Sequence, residues 1–216
     1  MPRRLPRFDR ALSSQAQLAI GIVRAGEIAH VCGDLAVRKE WSVLRLEALY
    51  ELAFLRVFAA WEVCLESVFY RSLCGYASAS GQETLVGGSY FPNLAAAERA
   101  VLGGRSYVLW HNPHKVIKRC RVYIRSGSGC PCVQQNIISS NLADLESLAA
   151  TRHRIVHDQT DARSNFDAAT LSIAGRTYPA SRPGKFLRDQ DTSTSPPQKW
   201  LDTTMGDLVS LMAQMV

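Results

Sequence analysis

Trp41-Ser-Val-Leu-Arg-Leu-Glu-Ala-Leu-Tyr50-Glu-Leu-Ala-Phe-Leu-Arg-Val-Phe-Ala-Ala60-Trp-Glu-Val-Cys-Leu-Glu-Ser-Val-Phe-Tyr70-Arg-Ser-Leu73 contains neither glycine nor proline and is rich in Leu and Ala. Such a run favours helix throughout, and Gly75 just past its end supplies a stop. Its apolar residues nearly encircle the axis, so the reading is a long helix over 41–73 buried at the centre of a bundle.

Outward from this helix the same periodicity recurs. Ser13 and Ser14 can cap a helix carrying Ala16, Ala19, Val23 and Ile28 and ending near Gly33. Residues 75–93 turn to Gly, Ser and Tyr, a loop excursion. A short helix is expected over 94–102 and another after Asn112-Pro113, bearing Val116, Ile117 and Cys120. After a glycine-rich break over 126–131, Asn141 with Asp144 three residues on opens a helix through Leu142, Leu145 and Leu148 to His157, with an earlier start near Gln134 left open. Residues 170–174 and 176–178 alternate around Gly175 like a small β-hairpin, and a Ser/Thr/Pro-rich linker leads to a last helix marked by Leu201, Met205, Leu208 and Met212. The sum is an all-α chain forming one domain over 1–216, with its core at about 14–158 and the hairpin and C-terminal helix at about 168–216.

Composition bounds the class. The 216 residues include 25 Lys and Arg against 19 Asp and Glu, and 47% are hydrophobic, which excludes collagenous, disordered and disulfide-scaffold chains. Six cysteines could pair, but three lie inside helical or apolar patterns and a chain of this size needs no disulfide framework, so a reducing cytosol suits them. No signal-peptide core follows the N-terminal arginines and no apolar run reaches membrane-spanning length, so the expectation is a soluble, cytoplasmic protein with no membrane partner. Between Glu98 and Asp144 lie Arg99, Arg105, Lys115, Lys118, Arg119, Arg121 and Arg125 and no acid. Like charges gathered on one stretch suit an anionic partner such as RNA, and Tyr107, Trp110 and Tyr123 interleave as stacking candidates.

The stretch most able to carry chemistry is Thr151-Arg-His-Arg-Ile-Val-His-Asp158. At 100° per residue, Leu142, Leu145, Leu148, Ala149, Ile155 and Val156 share an apolar arc with Arg152 in its middle, and His153 and His157 border it. A guanidinium on a packed face needs a counter-charge or an anion. The long helix offers one: Glu62 is central in the arc of Leu55, Phe58, Leu65 and Phe69. Each is costly to bury alone and less so beside the other, so Arg152 and Glu62 are expected to be neighbours.

An arginine, a polar residue, three further residues and a histidine at the end of a helix resemble the R-polar-x-x-x-H motif of the HEPN superfamily, and Arg152, His153 and His157 match it position by position, with His153 where the family usually has asparagine. Phe54-Leu-Arg-Val-Phe-Ala-Ala-Trp-Glu-Val-Cys-Leu-Glu66 looks like the long HEPN helix bearing an acid, and Val108-Leu-Trp-His-Asn-Pro113 is similar to a segment of the RiboL-PSP type. The resemblance covers about half the chain.

It implies a HEPN-like helical bundle and metal-independent RNA cleavage without a cofactor. In that reading His157 is the general acid or base, Arg152 stabilises the phosphate, and His153 and Glu62 orient them. Lys115, Lys118, Arg119, Arg121, Arg125 and Arg154 are the expected RNA contacts. Arg152 and His157 stand about 140° apart around a helix, and HEPN proteins pair two motifs across a homodimer. A toxin or antiviral-defence role implies a further antitoxin or sensor protein. The alternative is a catalytically silent HEPN-like module that binds nucleic acid or protein. A zinc reading of His111-x-x-His114 with Cys130-x-Cys132 is weak, because Cys-x-Cys is a poor chelating step.

Overall fold

The gap-free run forms α3 (Val43–Leu73), unbroken over 31 residues. The computed structural model describes residues 2–125 and 131–216, so Cys130 and most of the second glycine-rich break lie outside the described residues. In chain order the other elements are α1 (Phe8–His30), α2 (Leu35–Glu40), β1 (Ala77–Ser78), β2 (Gly81–Gln82), α4 (Leu94–Leu102), α5 (Pro113–Tyr123), α6 (Val133–Ser140), α7 (Leu142–Val156), α8 (Thr160–Ala174), a 3₁₀ turn (Pro179–Ser181), α9 (Pro183–Arg188), β3 (Gln190–Asp191), β4 (Gln198–Lys199) and α10 (Trp200–Met215). The all-α expectation holds at this level: the described residues are mostly helical, and β1–β2 and β3–β4 are two-residue antiparallel ladders.

The chain divides into two units. The first comprises Met1–Ala11, Trp61–Leu145 and Ser210–Val216, the second Leu12–Ala60 and Glu146–Val209. In the first unit Trp61, Leu65, Val68, Phe69 and Leu73 of α3 are buried, and the Phe69 ring lies 5.4 Å from Trp110 and 6.1 Å from Tyr123. Burying each such side chain is worth about 1.5–3 kcal/mol. Asn93 caps α4 and Asn112 caps α5 with Pro113 at its first position, as their side chains predict. Gln134 at the start of α6 donates through Nε2 to the Leu65 carbonyl at 3.1 Å.

In the second unit Leu46, Tyr50, Phe54, Val57 and Phe58 are among the buried residues of α3, and Phe166, Tyr178, Phe186 and Trp200 form a second ring cluster around Phe186. Gly184, at the first turn of α9, passes so close to the Glu47 carbonyl that a Cβ there would overlap backbone.

Four expectations need correction. α3 is not encircled: Leu44, Leu52 and Val63 are more than half exposed, because apolar residues around an axis do not fix which faces find partners. α1 begins at Phe8, with Pro6 before it and Asp9 in its first turn, rather than at Ser13. The helix read from Asn141 to His157 is α7, but the earlier start near Gln134 left open for it is a separate helix: Asn141 closes α6, donating through Nδ2 to the Ile137 carbonyl at 2.8 Å. The hairpin around Gly175 is absent. Residues 170–174 complete α8, whose buried Ala162, Phe166, Ala169 and Thr170 keep helical spacing, and Gly175 is its left-handed cap at φ 67°. The C-terminal hairpin is β3–β4, within the stretch read as a linker.

Candidate functional site

α7 carries Arg152 and His153, with His157 one residue beyond its end, all in the second unit. Its buried positions there are Ser147, Leu148 and Thr151. This face is turned by about 90° from the arc expected on apolar residues alone. The reason is local: the Thr151 hydroxyl donates to the Ser147 carbonyl at 2.9 Å, so its polar group is satisfied inside the helix and its methyl can be buried. Val156, counted in the apolar arc, is 49% exposed. Arg152 is therefore half-buried at the edge of the packed face rather than at its centre, and His153 is half-buried beside it.

His157 is exposed, and its backbone N–H still donates to the His153 carbonyl at 2.9 Å, so the helical path continues through it. The two imidazole rings are 4.6 Å apart, centre to centre. Two imidazole rings at the end of one helix can donate or accept hydrogen bonds and exchange a proton.

Arg154 has a different occupation. Its side chain is 14% exposed; Nε donates to the Ser181 carbonyl at 3.0 Å, and Nη1 reaches the His157 carbonyl at 3.3 Å and the Asp158 carboxylate at 3.0 Å. Arg163 donates to the same carboxylate at 2.7 and 3.0 Å, and these hydrogen bonds hold Asp158 below the usual carboxylate range. Arg154 thus fastens the end of α7, and with it the backbone that carries His157.

Glu62 belongs to the first unit, where its carboxylate stands 3.7 Å from Nδ1 of His111. From sequence, His111 is weighed only for a zinc quartet, a reading found weak, and is not connected to Glu62. Cys132 caps α6, its Sγ accepting from the Gln135 N–H, and among the described residues no group of three or more His, Cys, Asp or Glu side chains gathers as a metal ion would require.

The basic window also falls in the first unit. On α5, Val116, Ile117 and Cys120 face inward, which leaves Lys115, Lys118 and Arg121 exposed along the opposite side, with Arg125 exposed just beyond. Arg119 is half-buried: its guanidinium stacks 4.8 Å over Trp110 and donates to the Leu109 carbonyl at 3.3 Å, and burial lowers its pKa from the usual arginine value. Trp110 is buried and donates to Glu66 at 2.9 Å, while the Tyr123 hydroxyl donates to the Ala100 carbonyl. Of the three aromatics read as base-stacking candidates, Tyr107 alone stands exposed.

A second basic stretch escaped the sequence reading. Residues 176–188 contain Arg176, Arg182, Lys185 and Arg188 and no acid. All four line a cleft of about 570 Å³ in the second unit. A local charge count would have found it; a count over the whole remainder of the chain cancels it against distant acids. No helix among the described residues is long and apolar enough to cross a membrane. No protein-family model, curated protein or solved structure matches the chain.

Proposed function

We propose that the protein is a metal-independent endoribonuclease of the HEPN type. The reaction needs a proton taken from the RNA 2′-hydroxyl, a proton given to the leaving oxygen, and positive charge at the crowded phosphate. His157 serves as acid or base, Arg152 as phosphate stabiliser, and His153 orients His157 across the 4.6 Å between their rings. That close pair of imidazoles at an exposed helix end, five residues on from a half-buried arginine, is the observation that carries the reading.

His157 remains on the helical path, so Arg152 and His157 project about 140° apart from one chain. This supports a site completed by a second copy, in a homodimer. The exposed cations of α5 suit the RNA backbone, and their charge makes binding salt-dependent. An enzyme that cuts RNA in its own cell needs restraint, which favours a toxin or antiviral effector with an antitoxin or sensor partner.

The test is cleavage of mixed RNA in chelator by wild type and His157→Ala, with the mass of the wild type measured at micromolar concentration. Loss of wild-type cleavage in the variant and a dimeric mass support the reading. Equal cleavage by both removes His157 from the chemistry, a monomer removes the shared site, and RNA binding without wild-type cleavage favours the silent module.

A further inference from the structure

The cleft in the second unit takes no part in the ribonuclease reading. Five side chains of its lining are cationic, Arg176, Arg182, Lys185, Arg188 and Lys199, and two are carboxylates, Glu47 and Asp189. They come from four separate places: the start of α3, the segment before α9, α9 with Asp189 just past it, and β4. Arg182 is hydrogen-bonded to Glu47 and Arg176 to Asp189. Arg188 sets a fork on Glu27, Nε and Nη2 at 3.0 and 3.2 Å from its two oxygens, and Lys199 stands 3.7 Å from the same carboxylate. Lys185 is exposed and has no side-chain partner among the described residues.

Two features follow from this geometry. Five cations line the cleft against two carboxylates, and no carboxylate among the described residues answers Lys185, so positive charge is in surplus within the lining. The carboxylates also hold the three guanidiniums in place, and each retains N–H donors beyond those its partners accept. Tyr178, buried at the cleft wall, donates to Asp189 at 2.6 Å, and burial pushes its hydroxyl up to about 12, so it remains a neutral donor. The turn entering α9 is fixed as well. Ala180 and Ser181 both hold left-handed backbone, at φ 56° and 48°, with the Ser181 carbonyl held by Arg154 and its hydroxyl donating to Asp167 at 2.9 Å.

We infer that this cleft binds a small ligand bearing adjacent phosphates, of the nucleoside-polyphosphate class. Its volume of about 570 Å³ lies within the range of small-molecule sites. The N–H groups that these held guanidiniums still have open can donate to phosphate oxygens. Several cations converging on one cleft suit a compact, multiply charged anion, whereas a single RNA strand spreads its charge along an extended groove. The inference is independent of the ribonuclease reading.

Calorimetric titration of the full chain with adenosine triphosphate, inorganic pyrophosphate and a hydroxyl-ended RNA oligonucleotide tests it. The expected result is saturable binding of the first two, at least ten-fold weaker in Lys185→Glu, with the oligonucleotide unable to displace adenosine triphosphate. Lys185 is exposed, so the variant should melt with the wild type; should it melt early, Lys185→Ala and Arg176→Ala carry the same comparison. Failure of both phosphates to bind, equal binding by wild type and variants, or displacement by the oligonucleotide would overturn it.

Discussion

Lys115, Lys118 and Arg121 stand in solvent along α5 with no carboxylate beside them among the described residues, whereas Arg176, Arg182 and Arg188 each lie against a carboxylate around the cleft of the second unit. The two stretches read alike in sequence, basic and free of acids. They differ because Glu27 and Glu47 arrive from α1 and α3, more than a hundred residues earlier in the chain, to hold Arg188 and Arg182, and Asp189, just past the stretch, holds Arg176, whereas nothing comes to hold the other set. The exposed set can attract any polyanion and is screened by salt. The held set has fixed geometry, and fixed geometry can select one ligand.

The comparison breaks most readily at Gly184. A Cβ there would overlap the Glu47 carbonyl, so Gly184→Ala must push α9 away from α3. The expected cost is about 3 kcal/mol in urea unfolding; an unchanged midpoint would mean that the cleft walls are not held as described. Glu27→Gln comes next, at about 2 kcal/mol, because it uncouples Arg188 and Lys199 together.

Acid should reproduce the Glu27 loss. Burial raises that carboxyl, but hydrogen bonds from Arg188 and Tyr50 and the charges of Arg188 and Lys199 outweigh it and hold it below the usual carboxylate range. Its contribution is therefore present above the unfolded value of about 4.3 and is lost as pH falls through the lowered folded value. The stability gap between wild type and Glu27→Gln, followed by denaturant melts, should be constant at neutral pH and close below about pH 4. A gap that widens in acid would contradict the sign.

On the exposed side, replacing Lys115, Lys118 and Arg121 together by serine should leave stability within about 0.5 kcal/mol per site. RNA affinity should drop about ten-fold, and the slope of log K against log salt should fall by about 2 if all three touch phosphate. An unchanged slope would clear α5 of any contact. The smallest effect is a control for Gly184: Gly21, inside α1 with open space around it, should gain about 0.5–1 kcal/mol on substitution by alanine.

Helices whose signals are local were legible in the sequence. α3 follows from its lack of Gly and Pro, α4 and α5 from Asn93 and Asn112 with Pro113, and α10 from the spacing of Leu201, Met205, Leu208 and Met212. α8 was not, because its buried Ala162, Phe166, Ala169 and Thr170 are scattered among charged and polar residues, and its last turn alternates like a strand. The buried face of α7 was misjudged for a related reason, since Ser147 and Thr151 read as polar although Thr151 satisfies its hydroxyl within the helix.

At the candidate site, the closeness of His153 and His157 follows from four-residue spacing and was readable. The pairing of Glu62 with His111 was not, because nothing local links positions so far apart. Nor was the work of Arg154, whose partner Ser181 lies beyond an entire helix.

Attack by a 2′-hydroxyl is read most directly from the fate of one RNA oligonucleotide, and of the same oligonucleotide made of deoxynucleotides, in chelator with purified protein. Metal-independent attack by a 2′-hydroxyl predicts RNA fragments ending in a 2′,3′-cyclic phosphate, untouched DNA, and no fragments with His157→Ala. Cleavage of both strands alike, or RNA left whole by the wild type, would contradict it.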